Sequence, residues 1–104
     1  MKTQSYSATE FAVMRWAQDR GIYTHSTPMA QAKVLLSEVN ELIAEIEAGD
    51  KTKAELEGGD VMVSLVNTLV MLDIDPRQAF YKAFKKIEPR KGSMGTDGKW
   101  HKEA

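Results

Sequence analysis

Two pairs of acidic residues in the sequence share the same short spacing. Glu38 and Glu41 are three positions apart, and so are Glu57 and Asp60. Side chains three positions apart lie on one face of an α-helix, so each pair presents two carboxylates side by side. Carboxylate oxygens are ligands that Mg²⁺ prefers in proteins. Four carboxylates brought together would not all stay ionised without a neutralising cation, so the pattern favours a divalent metal site.

The first acidic pair lies within an amphipathic segment that predicts a helix over residues 28–48. Thr27 can cap its first turn, Pro28 suits the first helical position, and Gly49 is a good C-terminal stop. Its apolar residues recur at helical spacing: Leu35, Leu36, Val39, Leu42, Ile43 and Ile46. Its acidic residues follow the border of this apolar stripe: Glu38, Glu41 and Glu45. Taken by itself, this ridge of acids is also explained by a solvated helix face.

The second acidic pair interrupts a segment that is otherwise strongly apolar. Thr52 and Glu55 have the spacing of a capping box, which predicts a helix from Thr52 to about Leu72. On a helical projection, its polar residues form one stripe: Lys53, Glu57, Asp60, Ser64, Asn67 and Thr68. The rest of the circumference is apolar, so the helix is expected to be buried except along this stripe. Carboxylates in a buried helix need a partner, which favours a metal site over a solvated face.

Two adjacent glycines, Gly58 and Gly59, lie in the same predicted helix. Each glycine inside a helix costs about 1 kcal/mol relative to alanine. On the helical projection both point away from the acidic stripe. They therefore predict a close approach by the backbone of a neighbouring helix, and a simple kink is the alternative explanation.

The N-terminal segment predicts one further helix. It runs from about Thr9 to Arg20, with Ser7 or Thr9 as its cap, and Gly21 ends it. The following stretch "IYTHST" is expected to be a loop.

The C-terminal segment predicts a fourth helix and a short tail. Asp75 can cap this helix, Pro76 suits its first position, and it should end before Pro89. The dipeptide "DG" in residues 90–104 is a turn signal, so a small hairpin or an ordered tail is expected there. The chain is therefore predicted to be an all-α, four-helix bundle with a short C-terminal hairpin or tail, forming a single domain over residues 1–104.

The composition of the chain excludes several classes of protein. Its 104 residues are 42% hydrophobic with a net charge of −1, so there is one modest core and no general attraction to nucleic acid. Cysteine is absent, which excludes disulfides and thiol chemistry. No Ser-His or Cys-His pair is available for covalent catalysis. Since no apolar signal region or membrane span is present, a cytoplasmic protein without membrane partners is expected.

The acidic pairs and the residues around them resemble a known family. The pattern ExxE followed by ExxD, with "KVLLSEVNELIAEI", "GGDVMVSLVNTLVMLDIDPRQA" and "IEPRKGSM", is similar to the MazG-like, all-α nucleoside triphosphate pyrophosphohydrolases. The stretches "WAQDRGI" and "STPMAQAKVLLSEVNEL" resemble the shorter MazG-like proteins of phages and bacteria. The resemblance covers residues 11–94.

This resemblance implies a reaction and a set of site residues. The reaction is Mg²⁺-dependent hydrolysis of a nucleoside triphosphate, NTP or dNTP, to a monophosphate and pyrophosphate, with Mn²⁺ as a possible substitute. Metal ions can neutralise phosphate charge and lower the pKa of an attacking water. The implied metal ligands and catalytic residues are Glu38, Glu41, Glu57 and Asp60. One of these carboxylates could also accept the proton of the water, and the sequence does not say which.

Substrate contacts follow from the reaction that the resemblance implies. Cations that bind the phosphates are expected at three positions: Lys53, Arg90 and Lys91. Asn67 is expected at the sugar or a phosphate, and Trp16 is expected to stack on the base. Each has a structural alternative, namely an ion pair of Lys53 with Glu57, a buried Asn67 bonded to backbone, and a Trp16 that packs between helices.

Assembly and function each leave an alternative open. A bundle this small with so apolar a helix should bury surface against a partner, so a homodimer or homotetramer is expected, and the resemblance implies sites near subunit interfaces. A non-enzymatic helical interaction or dimerisation module that kept the fold is the alternative function. The sequence does not determine the preferred base or sugar.

Overall fold

The computed structural model describes residues 3–103, which form five helices and one two-stranded sheet. The helices are α1 (Tyr6–Asp19), α2 (Ile22–His25), α3 (Pro28–Ala48), α4 (Lys51–Met71) and α5 (Pro76–Ile87). The strands are β1 (Gly92–Met94) and β2 (Trp100–Lys102). The predicted all-α class with a C-terminal hairpin is therefore confirmed. The chain divides between residues 74 and 75 into two compact units, and each is described by itself.

The first unit is built around the helical hairpin of α3 and α4. Both helices have 21 residues, and only Gly49 and Asp50 connect them. Gly49 adopts a left-handed conformation with φ of 70°, which ends α3 and reverses the chain. The two helices pack extensively against each other, so they run antiparallel. This arrangement brings residues 38–41 opposite residues 57–60.

The ends of α3 and α4 show where cap prediction succeeded and where it did not. The predicted cap of α3 is confirmed, since Thr27 Oγ1 accepts a hydrogen bond from the Ala30 N–H at 3.0 Å. The predicted Thr52 cap of α4 is wrong. The Asp50 carboxylate accepts from the Lys53 N–H at 3.0 Å instead, and α4 begins at residue 51. Aspartate is at least as good a cap as threonine, and Asp50 follows the chain reversal directly.

The predicted start of α1 is also wrong. Ser5, not Ser7 or Thr9, is the cap, and its Oγ accepts from the Ala8 N–H at 3.2 Å. Gly21 ends the helix as predicted, with φ of 77°. The stretch predicted as a loop forms the one-turn helix α2, because the Gly21 carbonyl accepts from the His25 N–H at 2.9 Å.

The burial of α4 reverses the sequence-based expectation. The buried residues of this helix are mostly polar: Ser64, Val66, Asn67 and Thr68. Large apolar residues of the same helix are exposed, and Leu56 keeps 67% of its surface accessible. The prediction of a helix buried except along its polar stripe is therefore wrong for the single chain. The reason is that the other helices of the unit cover Ser64, Asn67 and Thr68 and leave much of the apolar surface of α4 uncovered.

The predicted close approach at Gly58 and Gly59 is wrong as well. Among the described residues, a Cβ built at either glycine meets no atom within 4 Å other than its chain neighbours and the adjacent backbone of its own helix. Both residues have ordinary helical backbone conformations within α4. Their helical cost of about 1 kcal/mol each is thus not offset by packing within one chain.

The second unit contains α5 and the hairpin. The Asp75 cap of α5 is confirmed, since its Oδ1 accepts from the Arg77 N–H at 2.9 Å. The strands β1 and β2 pair antiparallel, with Met94 opposite Trp100. The "DG" turn signal is confirmed, with Gly98 at φ of 79°. Across residues 3–103, no helix has the length and hydrophobicity that a membrane span requires.

Candidate metal centre

Three of the four predicted acidic residues converge on the α3–α4 hairpin. One carboxylate oxygen each from Glu38, Glu41 and Glu57 lies within 4.8 Å of the other two. Glu38 and Glu41 come from adjacent turns of α3, and Glu57 faces them from α4. The antiparallel hairpin therefore produces the cluster directly from the two short spacings in the sequence.

The carboxylates of this cluster perturb one another strongly. Hydrogen bonding with Glu41 raises the pKa of Glu57 to about 7, with further contributions from burial and from the charges of Glu41, Asp60 and Glu38. Burial raises the pKa of Glu38, and the charges of Glu41 and Asp60 raise it further. The charges that act on both carboxyls all come from other carboxylates. In the absence of a cation the cluster therefore retains a proton near neutral pH.

The chemistry of the cluster fits a hard divalent cation. Glu38 Oε2 and Glu57 Oε2 are buried, and among the described residues neither oxygen has a hydrogen-bond donor outside the carboxyls of the cluster itself. A buried carboxylate oxygen without a partner is costly unless a cation or a proton compensates it. All donors in the group are carboxylate oxygens, which suit Mg²⁺ or Mn²⁺ better than softer metals. The cluster could therefore hold one such ion.

Asp60, the fourth predicted ligand, lies close to the cluster but outside the closest group. Its charge raises the pKa of both Glu38 and Glu57, which shows its proximity. Asp60 also lines a cavity between α1 and α4. It therefore lies at the boundary between the acidic cluster and that cavity.

The cavity between α1 and α4 has a volume of about 360 Å³ and is mostly apolar. The α1 residues that line it are Tyr6, Thr9, Glu10 and Val13, and those of α4 include Leu56, Gly59, Asp60, Met62 and Val63. Glu10 is buried, with 4% of its surface exposed. Sequence reasoning missed Glu10 because a single glutamate in the first turns of a helix carries no signal of burial.

Trp16 borders a second groove beside Asp60. The groove has a volume of about 380 Å³ and is lined from α1 by Thr9, Ala12, Val13 and Trp16, and from α4 by Asp60 and Val63. Trp16 is 46% exposed, and the Arg20 guanidinium lies 5.6 Å from the centre of its ring. The indole is therefore accessible in a groove that Asp60 also lines, and its stacking on a base stays a prediction.

Two other predicted substrate residues lie on α4. Asn67 is 3% exposed, and its Oδ1 accepts a hydrogen bond from the Tyr23 hydroxyl at 2.9 Å. This bond ties α2 to α4 and gives Asn67 a structural role, while its contact with substrate stays a prediction. Lys53 is exposed at the start of α4 and, among the described residues, forms no salt bridge with Glu57.

Arg90 and Lys91 belong to the second unit. They follow α5 and, with Pro89, Lys102 and Glu103, line a groove beside the hairpin. Their contact with phosphate stays a prediction.

Comparison with known proteins assigns the family. The model of the MazG nucleotide pyrophosphohydrolase domain matches residues 26–94. This stretch covers more than half of the chain and includes the α3–α4 hairpin with all four acidic residues. The chain therefore belongs to the MazG nucleotide pyrophosphohydrolase family, a family of hydrolases that act on nucleotides. Searches of curated proteins and of solved structures returned no significant match.

Proposed function

We propose that the protein hydrolyses nucleoside triphosphates, NTP or dNTP, to a monophosphate and pyrophosphate in the presence of Mg²⁺, with Mn²⁺ as a substitute. The observation that carries this proposal is the convergence of Glu38, Glu41 and Glu57 within 4.8 Å, with Asp60 beside them. These four carboxylates are the proposed metal ligands. The family supplies the class of substrate, and the acidic cluster supplies the place where its phosphates would be attacked.

The protein groups of the cluster have defined tasks in this proposal. A divalent cation held there supplies neutralisation of phosphate charge and activation of a water molecule. Glu57 releases its proton when the cation binds, because a carboxylate must be ionised to serve as a ligand. A carboxylate that stays free of the cation can accept a proton from the attacking water.

The nucleoside is proposed to lie between α1 and α4. Asp60 lines the cavity of about 360 Å³ and also lies close to the cluster, so a nucleotide with its phosphates at the cluster can place its base and sugar against α1. Its apolar lining suits the faces of a base. Trp16, at the adjoining groove, is proposed to stack on the base. The proposed polar contacts of the nucleotide are Lys53, Asn67, Arg90 and Lys91.

A homo-oligomer, dimer or tetramer, is part of the proposal. Large apolar side chains of α3 and α4 are exposed in the single chain, among them Leu36, Ile46 and Leu56. We further propose that both units act as one domain, because the family match runs across the boundary between residues 74 and 75. The cytoplasmic location stays a prediction.

The reaction is tested by incubating the full chain and Mg²⁺ with a panel of ribonucleotides, deoxyribonucleotides and oxidised or methylated nucleotides, and separating the products by anion exchange. We expect monophosphate and pyrophosphate, with EDTA abolishing both. Diphosphate and orthophosphate would contradict the proposed site of cleavage. No turnover of any nucleotide, with Mg²⁺ binding shown separately, would favour the alternative of a non-enzymatic interaction module, which the exposed apolar surface also suits.

A further inference from the structure

The two units of the chain carry opposite net charges. Residues 1–74 contain six lysines and arginines against eleven acidic residues, a net charge of −5. Residues 75–104 contain eight against four, a net charge of +4. The overall charge of −1 conceals this division. A small unit with this excess of cations attracts anions. This attraction does not depend on the acidic cluster, which belongs to the first unit.

Three of the eight cations of the second unit line one groove. This groove has a volume of about 470 Å³ and is lined by Pro89, Arg90, Lys91, Lys102 and Glu103. Three of the five residues are cationic and one is acidic, so the lining has a local excess of positive charge. Lys102 has no assigned role in the proposed function.

The hairpin explains how residues far apart in sequence reach this groove. Gly92 pairs with Lys102, and the Glu103 N–H donates to the Lys91 carbonyl at 2.7 Å. The last strand thus lies against the segment that leaves α5. A Cβ at Gly92 would lie 2.5 Å from Cζ2 of Trp100, so only glycine lets this indole pack against β1. The backbone around the groove is therefore held by paired strands and an aromatic contact.

We propose that this groove binds a linear chain of phosphates and that Lys102 is its third cation, beside Arg90 and Lys91. A di- or triphosphate carries several charges along a short chain, which matches cations that line one groove. Arginine can bind phosphate oxygens through two parallel hydrogen bonds, and lysine acts as a mobile point charge. Glu103 opposes binding from the same groove. That the phosphate chain belongs to a nucleotide rests on the proposed function, while the groove itself does not.

The test measures binding of inorganic tripolyphosphate to the full chain by isothermal titration calorimetry, without divalent metal. Under this condition the acidic cluster repels the ligand, so the cations must account for binding. We expect Lys102→Gln to weaken binding about fivefold, the upper value for an exposed ion pair. Lys99→Gln removes the same charge from the same hairpin outside the groove and should change affinity less than about twofold. Glu103→Gln should strengthen binding.

Several results would overturn this inference. Equal effects of Lys102→Gln and Lys99→Gln would mean that only the overall charge of the unit matters. No effect of Glu103→Gln together with no effect of Lys102→Gln would exclude the groove. A different outcome would assign the surface to nucleic acid. In that case a single-stranded oligonucleotide would displace tripolyphosphate, and its affinity would increase with the length of the oligonucleotide. Nucleotide turnover by Lys102→Gln with wild-type kinetics would exclude Lys102 from the reaction and leave the proposed cleavage reaction standing. Tripolyphosphate binding that depends on the groove, without turnover of any nucleotide, would support the groove as a phosphate site and contradict the proposed function.

Discussion

Glu57 illustrates how neighbouring residues set the chemistry of a single carboxyl. Hydrogen bonding with Glu41, burial, and the charges of Glu41, Asp60 and Glu38 raise its pKa to about 7. When this carboxyl is ionised, no neighbouring positive charge among the described residues balances it. A cation that binds at the cluster can therefore replace its proton. Metal binding at the cluster is therefore expected to depend on pH around neutrality.

The raised pKa of Glu57 has a measurable consequence for stability. In the unfolded chain this carboxyl has its ordinary pKa of 4.5, so between 4.5 and about 7 the folded state binds more protons. Its contribution to the free energy of unfolding is thus fully present below pH 4.5 and is lost as the pH rises through about 7. We expect the thermal midpoint of the metal-free protein to fall over this range, and Mg²⁺ to restore it above about pH 7.

The control for this experiment is a glutamate outside the cluster. Glu57→Gln should flatten the decline of the thermal midpoint with pH, and Glu47→Gln, an exposed position on α3, should leave the decline unchanged. Equal slopes for the wild type and Glu57→Gln would show that the folded state does not raise the pKa of this carboxyl.

The sequence identified the acidic residues because their spacing is local. Glu38 and Glu41 share a helix face by geometry alone, and so do Glu57 and Asp60. The position of Asp60 at the rim of the closest group, and the burial of Glu10, were not predictable in this way. The first depends on how α3 and α4 are aligned, and the second depends on how α1 packs in the first unit. The periodicity of one segment contains neither.

At the scale of elements, the α3–α4 hairpin is the part of the fold that the sequence predicts best. The cap at Thr27 and the stop at Gly49 are short-range signals, and both are confirmed. The start of α4 was mispredicted because two capping residues compete, and Asp50 forms the bond to the Lys53 N–H. The one-turn helix α2 was missed because four residues are too few to show a periodic pattern.

The adjacent glycines of α4 provide a matched pair of variants. Neither Cβ would meet a described atom beyond its chain neighbours and the adjacent backbone of α4, so Gly58→Ala and Gly59→Ala should each stabilise the helix by about 1 kcal/mol, measured by urea denaturation. Only Gly59 lines the cavity beside Asp60, so Gly59→Ala should raise the KM for the nucleotide while Gly58→Ala leaves it unchanged.

The opposite result at these glycines would be equally informative. A loss of stability in Gly58→Ala would mean that a second subunit approaches α4 closely at this position. Identical KM values for the two variants would contradict the placement of the nucleoside between α1 and α4.

At the scale of the whole molecule, the single chain leaves much of its apolar surface exposed. Among the described residues, Ala17 and Val66 are the buried apolar residues. The sequence suggested a buried α4, and the structure places Leu56 and other apolar residues of this helix on the surface of one chain. The apolar pattern of α4 indicates a surface that can pack against other residues. The pattern does not show whether those residues belong to the same chain or to a second subunit.

We therefore expect sedimentation equilibrium to give a mass of at least two chains. Leu36→Glu places a charge on the exposed apolar side of α3 and should dissociate the assembly, with loss of thermal stability. Ser37→Glu adds the same charge to an exposed position on another side of that helix and should leave the mass unchanged. A monomeric wild-type protein at micromolar concentration would contradict the proposed assembly.

The most direct test of the central claim is the Mg²⁺-dependent turnover of Glu57→Gln compared with Glu47→Gln, on the best substrate of the panel. Both variants remove one carboxylate from the same helical hairpin, and only Glu57 lies in the cluster. Mutating a residue that hydrogen-bonds to a metal ligand typically lowers metal affinity or activity about 10–100-fold. Loss of a ligand itself should therefore lower kcat/KM by at least about a hundredfold. Glu47→Gln should retain wild-type turnover. Turnover by Glu57→Gln at the wild-type rate would show that the acidic cluster of α3 and α4 is not the catalytic metal centre.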